Sequence, residues 1–228
     1  MKQSRHEANP EPSVQEMCER FDRIYTGAIS DVMDEMGYHD QVFPASIQAL
    51  RPEMRVSGVA MPVQGEPAPD LNRDDYFLPF LEMLGDLKPG HVIISQPNDS
   101  LTAHLGELSA ETAQFLGARG AVIDGGCRDL DYILKLKFPV FCRYRTPLDI
   151  VGRWQLKSYG NPVRIGRVTI RAGDFIVGDM DGVLMIPQEI TREVLLKSEE
   201  VVSTENLVRK AILQGVHPVE AYKRYGRF

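Results

Sequence analysis

Cysteine, excess charge and long apolar runs are all scarce in this chain of 228 residues. Its cysteines, Cys18, Cys127 and Cys142, are too few for a disulfide framework, and no Cys-x-x-Cys spacing suggests a structural zinc site. No apolar run approaches the roughly 20 residues that span a bilayer. We therefore expect neither a disulfide-stapled nor a membrane-spanning protein, and a reducing cytoplasm is the expected location.

The charge balance is mildly acidic, at −6, which argues against a nucleic-acid partner. A composition of 43% hydrophobic and 25% charged residues is typical of a globular protein, and the length allows a sizeable core. Residues 1–13 are polar, contain two prolines and lack the apolar stretch of a secretory signal. We predict that they form a flexible tail and that residues 14–228 form a single domain.

Apolar periodicity and turn residues divide the chain into an α/β front and a β-rich back. The front contains predicted helices over 14–24, 28–36, 75–86, 105–116 and 129–136, with strands over 55–64, 91–96 and 121–124. The back contains predicted strands over 140–145, 162–171, 174–177 and 182–186. Thr191 opens a long closing helix, which Gly215 is predicted to end. The fold class is therefore α/β.

The most informative motif is Glu107 followed, after twenty residues, by the pair Arg128-Asp129. Two carboxylates can hold a hard divalent cation, and a guanidinium beside them can bind a planar carboxylate through paired donors. A helix beginning near Glu107 and a strand ending near Asp124 would bring these groups to the same end of the fold. This convergence predicts a site for a 2-oxo acid.

The segment Gly106 to Ser109 is expected to form the first turn of a helix. Its N–H groups lack intrahelical partners and the helix dipole favours an anion there. Gly106 has no side chain, which allows a ligand to approach the backbone closely. This turn could bind a carboxylate or an enolate oxygen.

Simpler interpretations of the same residues remain open. Glu107 could compensate the helix dipole, and Asp129 could be the N-cap of the next helix. Gly125-Gly126, placed just after a strand, could form a tight turn. A packing or capping role for His104 is favoured over proton donation.

Three further residue types have two interpretations each. Asp179 and Asp181 could form a second metal site, but Asp181 followed by glycine first indicates a hairpin. Cys127 could be reactive beside Arg128, but a buried apolar filler is the favoured interpretation. Trp154 is predicted to line the mouth of the site or to pack in a subunit contact.

The stretch Asn98 to Asp129 resembles the family that unites class II pyruvate aldolases with the ribonuclease-activity-regulator A proteins. The resemblance covers roughly residues 18–215, and further matching segments are Tyr25 to Asp31, Gly58 to Ala60, Gly152-Arg153 and Asp179 to Val183. The aldolases act on 4-hydroxy-4-methyl-2-oxoglutarate and 4-carboxy-4-hydroxy-2-oxoadipate. An acidic residue, twenty residues and Arg-Asp mark the aldolase branch, and this chain has that signature.

The resemblance implies a layered β/β/α, swivelling-domain-like fold with N- and C-terminal helices, assembled as a homotrimer or homohexamer. It also implies that Asp129 binds Mg2+ or Mn2+ directly and that Glu107 binds the cation through water. Arg128 would bind the pyruvyl carboxylate and keto oxygen together with the first helical turn. The implied substrate-binding residues are Gly106, Glu107, Leu108, Ser109 and Arg128, and the implied catalytic residues are Arg128, Glu107 and Asp129.

The family also uses an acidic residue from the C-terminal helix of a neighbouring subunit, for which Glu199, Glu200 and Glu205 are the candidates. The implied function is a metal-dependent lyase that releases pyruvate by retro-aldol cleavage, with decarboxylation of oxaloacetate as a second reaction. The alternative is a non-catalytic protein that binds and inhibits a ribonuclease complex. Methyl transfer to a quinone has no support, since we find no Gly-rich nucleotide-binding turn with an acidic ribose anchor. The distal half of the substrate stays open.

Overall fold

The computed structural model describes residues 12–69 and 71–228. Within them, the chain forms seven α-helices and ten strands. The helices are α1 (Val14–Phe21), α2 (Thr26–Glu35), α3 (Arg73–Gly85), α4 (Glu107–Phe115), α5 (Leu130–Leu136), α6 (Thr191–Leu213) and α7 (Pro218–Tyr225). The strands are β1 (Gln48–Ala49), β2 (Val56–Pro67), β3 (His91–Gln96), β4 (Gly120–Cys127), β5 (Val140–Arg145), β6 (Trp154–Tyr159), β7 (Val163–Ile165), β8 (Val168–Ile170), β9 (Phe175–Asp179) and β10 (Gly182–Ile186).

One large sheet organises the molecule, with strand order β1-β5-β4-β3-β2-β9-β10 and β6 beside the carboxyl half of β2. The pairs β2–β3, β3–β4 and β4–β5 are parallel, while β9 and β10 add antiparallel neighbours. Helices α3, α4 and α5 make the crossovers between the parallel strands. The carboxyl ends of β3 and β4 therefore lie at one edge of the sheet, where open α/β sheets usually bind ligands.

The central strands are buried on both faces. In β3, Ile93 packs in the cluster that includes residues of α3, α4 and α5, whereas Val92 and Ile94 pack with the β7–β8 hairpin. A third cluster packs α1, α2 and α6 onto β9 and β10. These apolar clusters produce a layered α/β architecture, as the family resemblance implied.

Most elements follow the sequence prediction, and β3, β5 and β10 agree to the residue. The predicted strand over 162–171 is instead a hairpin, because Gly166 reverses the chain with a φ of +60°. Strand β6 and helix α7 were not predicted.

The predicted tail, residues 1–13, lies mostly outside the described residues. Its last member, Ser13, is not part of a tail: its hydroxyl accepts a hydrogen bond from the Glu16 N–H at 3.2 Å and caps α1. Pro62 lies inside β2 between the segments that pair with β9 and with β6, where its missing N–H removes no ladder bond.

Trp154 is a correction to the sequence prediction. It lies within β6 and is buried inside this chain, with its indole N–H donating to the Pro97 carbonyl at 2.8 Å. It therefore lines neither the mouth of the site nor a subunit contact. Among residues 12–69 and 71–228, no helix combines the length and apolarity needed to cross a bilayer.

Candidate active site

The candidate site forms where the loop before α4 meets the end of β4. The Leu105 carbonyl accepts a hydrogen bond from the Arg128 N–H at 3.0 Å, and the Gly126 carbonyl accepts one from the His104 N–H at 2.9 Å. A bridge between Ala103 and Gly126 adds a third connection. These main-chain contacts bring Glu107 beside Asp129, although twenty-one residues separate them in sequence.

Asp129 holds an unusual backbone conformation at the start of α5, with φ 56° and ψ 37°. Asp129 is the N-cap residue of α5, as one interpretation predicted, but its side chain makes no capping hydrogen bond. Instead its Oδ2 accepts a hydrogen bond at 3.1 Å from the backbone N–H of Glu107, in the first turn of α4. A non-glycine residue in the left-handed region is uncommon and clusters at functional sites.

Gly106 is required by close approach rather than by backbone conformation, because its φ is −130°. A Cβ at this position would lie 2.6 Å from Asp129 Oδ2 and 3.3 Å from Arg128 Nε. Any side chain here would displace the carboxylate. The absence of a side chain thus keeps Asp129 against the helix start.

Arg128 lies between two carboxylates. Its Nε is 3.5 Å from Asp129 Oδ2, and its Nη1 is 3.4 Å from Asp149 Oδ2. These separations are long for charge-assisted hydrogen bonds, and the side chain is 33% exposed, so both pairs are weak. The carboxylates hold the guanidinium in position without forming strong hydrogen bonds with it, so its N–H donors can bind a ligand.

Asp149 was missed by the sequence analysis. It precedes Ile150, whose N–H donates to Asp149 Oδ1 at 2.7 Å, so the side chain accepts a hydrogen bond from the adjacent residue. Its position at the site depends on the Leu148 carbonyl, which accepts a hydrogen bond from the Ala103 N–H at 2.9 Å. No short-range sequence signal reports that contact.

The cleft has a volume of about 300 Å³, and every predicted site residue lines it. Its lining residues are Phe77, Phe80, Leu81, Ala103, His104, Leu105, Gly106, Glu107, Leu108, Ser109, Arg128, Asp129, Asp149 and Ile150. The N–H groups of Leu108 and Ser109 have no hydrogen-bond partner in the described part of the chain. They remain available to an anion at the helix start.

The sequence predicted that Gly125 and Gly126 follow the strand, but both lie inside β4. Neither has a positive φ; both are required by close packing. A Cβ on Gly126 would lie 2.3 Å from the Tyr144 ring, and one on Gly125 would lie 2.7 Å from the His104 ring. The register shift between Ile123 and Gly126 marks the irregularity at this point.

His104 is buried beneath the cleft and packs edge-on against Trp154, with the ring centroids 4.8 Å apart. Its Nε2 lies 3.3 Å from Asp99 Oδ2. Burial lowers the pKa of His104 to about 4, although the Asp99 carboxylate acts in the opposite direction. The imidazole is therefore neutral at pH 7, and these contacts agree with the predicted packing role.

Cys127 also follows its prediction as a buried filler. It ends β4 fully buried, with its Sγ 3.2 Å from the Sγ of Cys142 on β5. Asp179 and Asp181 flank the β9–β10 turn, so the hairpin interpretation is confirmed. Within the described residues, no group of three His, Cys, Asp or Glu side chains is arranged to hold a metal ion, either at this turn or in the cleft, and a second metal site stays a prediction.

The candidate acidic residues of the long helix lie outside the cleft of their own chain. Glu199 accepts two hydrogen bonds from Arg20, at 2.8 and 2.6 Å. Glu205 accepts a hydrogen bond from the Tyr25 hydroxyl. Glu200 is exposed. Any contribution to a cleft would have to come from another subunit, and it stays a prediction.

The cleft offers carboxylate oxygens to a hydrated divalent cation. Glu107 and Asp129 supply two carboxylates, and Mg2+ usually keeps several waters and binds through one or two carboxylates plus substrate oxygens. The two contacts of Asp129 described above both use Oδ2, and its Oδ1 makes no hydrogen bond among residues 12–69 and 71–228. These two carboxylates therefore fit the ligand set of such an ion.

Comparison with known proteins identifies the family to which the chain belongs. The chain belongs to the RraA-like family, because the family model described as Aldolase/RraA matches residues 26–185, more than half of its length. A protein of Halalkalibacterium halodurans named "Putative 4-hydroxy-4-methyl-2-oxoglutarate aldolase" is 32% identical over 207 residues, covering 89% of this chain and 91% of the relative.

Two solved structures share the fold. One, described as "novel cellulases from microbes associated with the gut ecosystem", is 36% identical with a TM-score of 0.81, covering 88% of this chain and 90% of that chain. The other is Streptomyces coelicolor RraAS2, described as an unusual member of the RNase ES inhibitor RraA protein family. It is 23% identical with a TM-score of 0.77, covering 88% of this chain and 99% of that chain, and at this identity the likeness shows the fold alone.

Proposed function

We propose that this protein is a divalent-metal-dependent carbon–carbon lyase that cleaves 4-hydroxy-2-oxo acids and releases pyruvate. The observation that carries the proposal is the convergence of Glu107, Arg128 and Asp129 on one cleft, with Gly106 kept bare so that the Asp129 carboxylate can approach the helix start. The similarity to the Halalkalibacterium halodurans protein supports the same reaction class.

The pyruvyl half of the substrate would bind across the charged side of the cleft. Arg128 would hold its carboxylate through paired guanidinium donors, and the N–H groups of Leu108 and Ser109 would donate to its remaining oxygens. Asp129 and Glu107 would hold Mg2+ or Mn2+. A bound divalent cation supplies Lewis-acid stabilisation of negative charge on the keto oxygen.

Retro-aldol cleavage breaks the bond between C3 and C4. A water molecule acting as base would take the C4 hydroxyl proton as this oxygen becomes a carbonyl, while the bonding electron pair passes to C3 and the keto group as the pyruvate enolate. The protonated water would then be the proton source for C3. In this pose Arg128 and the first turn of α4 would face the developing negative charge, which is the condition for electrostatic catalysis. Protonation of C3 then completes pyruvate. Decarboxylation of oxaloacetate would reach the same enolate, so we include it as a second reaction.

The test measures enolate formation and pyruvate release separately. Exchange of the pyruvate methyl protons in D2O, followed by NMR, requires only the pyruvyl half of a substrate. Pyruvate release from oxaloacetate and from 4-hydroxy-4-methyl-2-oxoglutarate would be assayed with Mg2+, with Mn2+ and with EDTA, and corrected for decarboxylation by metal alone. We expect both activities to require metal.

Matched variants identify the site. Arg128→Ala is expected to abolish exchange and release, whereas Arg167→Ala, which removes a side chain that is 86% exposed and outside the cleft, leaves both unchanged. Exchange and release that persist in Arg128→Ala would rule out the assignment.

The alternative of a non-catalytic ribonuclease inhibitor would give no metal-dependent activity in either assay. The Streptomyces likeness bears on the fold only, and the carboxylate and guanidinium geometry favours the lyase. Assembly as a homotrimer or homohexamer and a cytoplasmic location stay predictions.

A further inference from the structure

The Arg128 guanidinium lies between two carboxylates at nearly equal distances. Its Nε is 3.5 Å from Asp129 Oδ2, and its Nη1 is 3.4 Å from Asp149 Oδ2. Its remaining nitrogen, Nη2, makes no hydrogen bond with residues 12–69 and 71–228. Because the two contacts are similar in length and use different nitrogens, the position of the guanidinium depends on both carboxylates.

Asp149 is held firmly by its own loop. Its Oδ1 accepts a hydrogen bond from the Ile150 N–H at 2.7 Å. The backbone is held on both sides, because the Leu148 carbonyl accepts from the Ala103 N–H at 2.9 Å and the Ile150 carbonyl accepts from the Arg153 N–H at 2.9 Å. The Asp149 carbonyl itself accepts from Arg153 Nη1 at 3.3 Å. The Asp149 carboxylate is therefore a fixed point in the cleft.

A stronger arrangement than the observed one is open to Arg128. An arginine and a carboxylate pair best when two parallel N–H groups, such as those on Nε and Nη2, meet both carboxylate oxygens. Asp129 is near enough to form such a pair, yet the present contact joins only Nε and Oδ2. The paired arrangement would cover Asp129 Oδ1, which is the oxygen that a cation could use.

The contact with Asp149 opposes this paired arrangement. In the planar guanidinium, Nη1 lies on the side opposite the edge formed by Nε and Nη2. A carboxylate at Nη1 therefore draws the group away from Asp129. Without the charge of Asp149, Asp129 would be the one carboxylate within 4.0 Å of the guanidinium among residues 12–69 and 71–228.

We propose that Asp149 is a positioning residue that holds Arg128 away from Asp129 and so keeps the Asp129 carboxylate open to the divalent cation. This inference rests on the proposed lyase function, and it gives a role to the acidic residue that the sequence analysis missed. Asp149 would act through Arg128 and would touch neither the cation nor the substrate.

The test measures metal binding directly, by titrating the protein with Mn2+ and following the EPR signal of the free ion. Asp149→Asn removes the charge but keeps an oxygen that can accept from the Ile150 N–H. We expect the Kd of Mn2+ to rise about five-fold, the upper range for a partly exposed ion pair. Glu111→Gln is the matched control, because it removes an exposed carboxylate of α4 that does not line the cleft. An unchanged Kd in Asp149→Asn would overturn the inference.

A double-mutant cycle separates an effect through Arg128 from every other effect of Asp149. We expect Asp149→Asn to raise the Kd of Mn2+ in the wild-type protein and to leave it unchanged in the Arg128→Ala background. A direct attraction between Asp149 and the cation, or a loop that loses its structure, would raise the Kd in both backgrounds. An equal rise in both backgrounds would therefore overturn the positioning role.

The same titration distinguishes failure of this inference from failure of the proposed function. Mn2+ binding that is lost in Asp129→Asn but unaffected by Asp149→Asn would overturn the positioning role and leave the metal site standing. No Mn2+ binding to the wild-type protein, or equal binding in Asp129→Asn, would overturn both proposals.

Discussion

Asp179 ends strand β9 and Asp129 follows the end of β4 by two residues, yet the protein satisfies the two carboxylates to different degrees. Asp179 is buried and accepts hydrogen bonds from the Thr26 N–H, the Thr26 hydroxyl and the Asp181 N–H, at 2.9, 2.7 and 3.0 Å. The Asp129 side chain is 40% exposed and accepts one, from the N–H of Glu107 at 3.1 Å. A carboxylate whose acceptor sites are filled by the protein stabilises the fold, whereas one left with open sites can bind a ligand.

The largest effect is expected from Asp129→Asn. We predict that metal-dependent exchange of the pyruvate methyl protons falls about 1,000-fold, roughly 4 kcal/mol in activation free energy, because the neutral amide is a poor ligand and no longer orients Arg128. The melting temperature should change little, since the side chain is partly exposed and makes a single hydrogen bond. Asp131→Asn, on the exposed side of α5, is the matched control. A large fall in the melting temperature of Asp129→Asn would show that Asp129, like Asp179, stabilises the fold.

Asp179→Ala is expected to give the reverse pattern. Removing this buried acceptor leaves the N–H groups of Thr26 and Asp181 without their partner, so the free energy of unfolding should fall by about 3 kcal/mol. Urea denaturation measures this loss. Exchange activity of the protein that remains folded should match the wild type, and a catalytic defect at unchanged stability would contradict the structural assignment.

His104 tests whether burial, rather than position in the cleft, decides the role of an ionisable group. Because its folded-state pKa of about 4 lies below the ordinary value of 6.5, the unfolded chain binds more protons between these values. Stability from this group is therefore complete above pH 6.5 and is lost as the pH falls toward 4. We predict a loss of about 2 kcal/mol between pH 7 and pH 5.

The measurement is the free energy of unfolding at pH 7 and pH 5 for the wild type and for His104→Gln. The variant should lose less stability between the two values by about the same 2 kcal/mol. Identical pH dependence in the wild type and in His104→Gln would show that burial of this imidazole does not affect stability.

The smallest effect is expected from Gly106→Ala. The added methyl would lie 2.6 Å from Asp129 Oδ2, so the carboxylate must move away from the α4 helix start. We predict about a ten-fold loss of exchange activity, because the displaced Asp129 carboxylate would still bind the cation, but less tightly. Gly85→Ala is the control, because a Cβ on Gly85 meets no atom within 4 Å. Wild-type activity in Gly106→Ala would show that close approach is not required.

The sequence predicted the parts of the fold that depend on local patterns. Strand β3 and the start of α6 at Thr191 follow directly from apolar periodicity and turn residues. The failures have different causes. Strand β6, which contains Trp154, gains its order from pairing with the distant β2 rather than from its own pattern. Helix α7 is short and polar, and the basic aromatic segment it contains gives a weak periodic signal.

The candidate site was also predicted in part. Glu107, Arg128 and Asp129 were found because their spacing implies that a helix start meets a strand end. The hydrogen bond between the Asp129 carboxylate and the N–H of Glu107 was not predictable. The left-handed backbone of Asp129 turns its carboxylate away from its own helix. Asp149 was missed because a main-chain hydrogen bond from a loop far away in sequence places it beside Arg128.

The main-chain contacts between the loop before α4 and the end of β4 have a consequence for evolution. Because Leu105, Gly126 and the amides of His104 and Arg128 hold the two segments together through the backbone, the site geometry does not depend on the side chains that would perform the chemistry. Positions 107, 128 and 129 can change identity while the surrounding frame persists. A descendant could therefore lose the reaction and retain the architecture, and a protein engineer could install a different set of ligands in the same three positions.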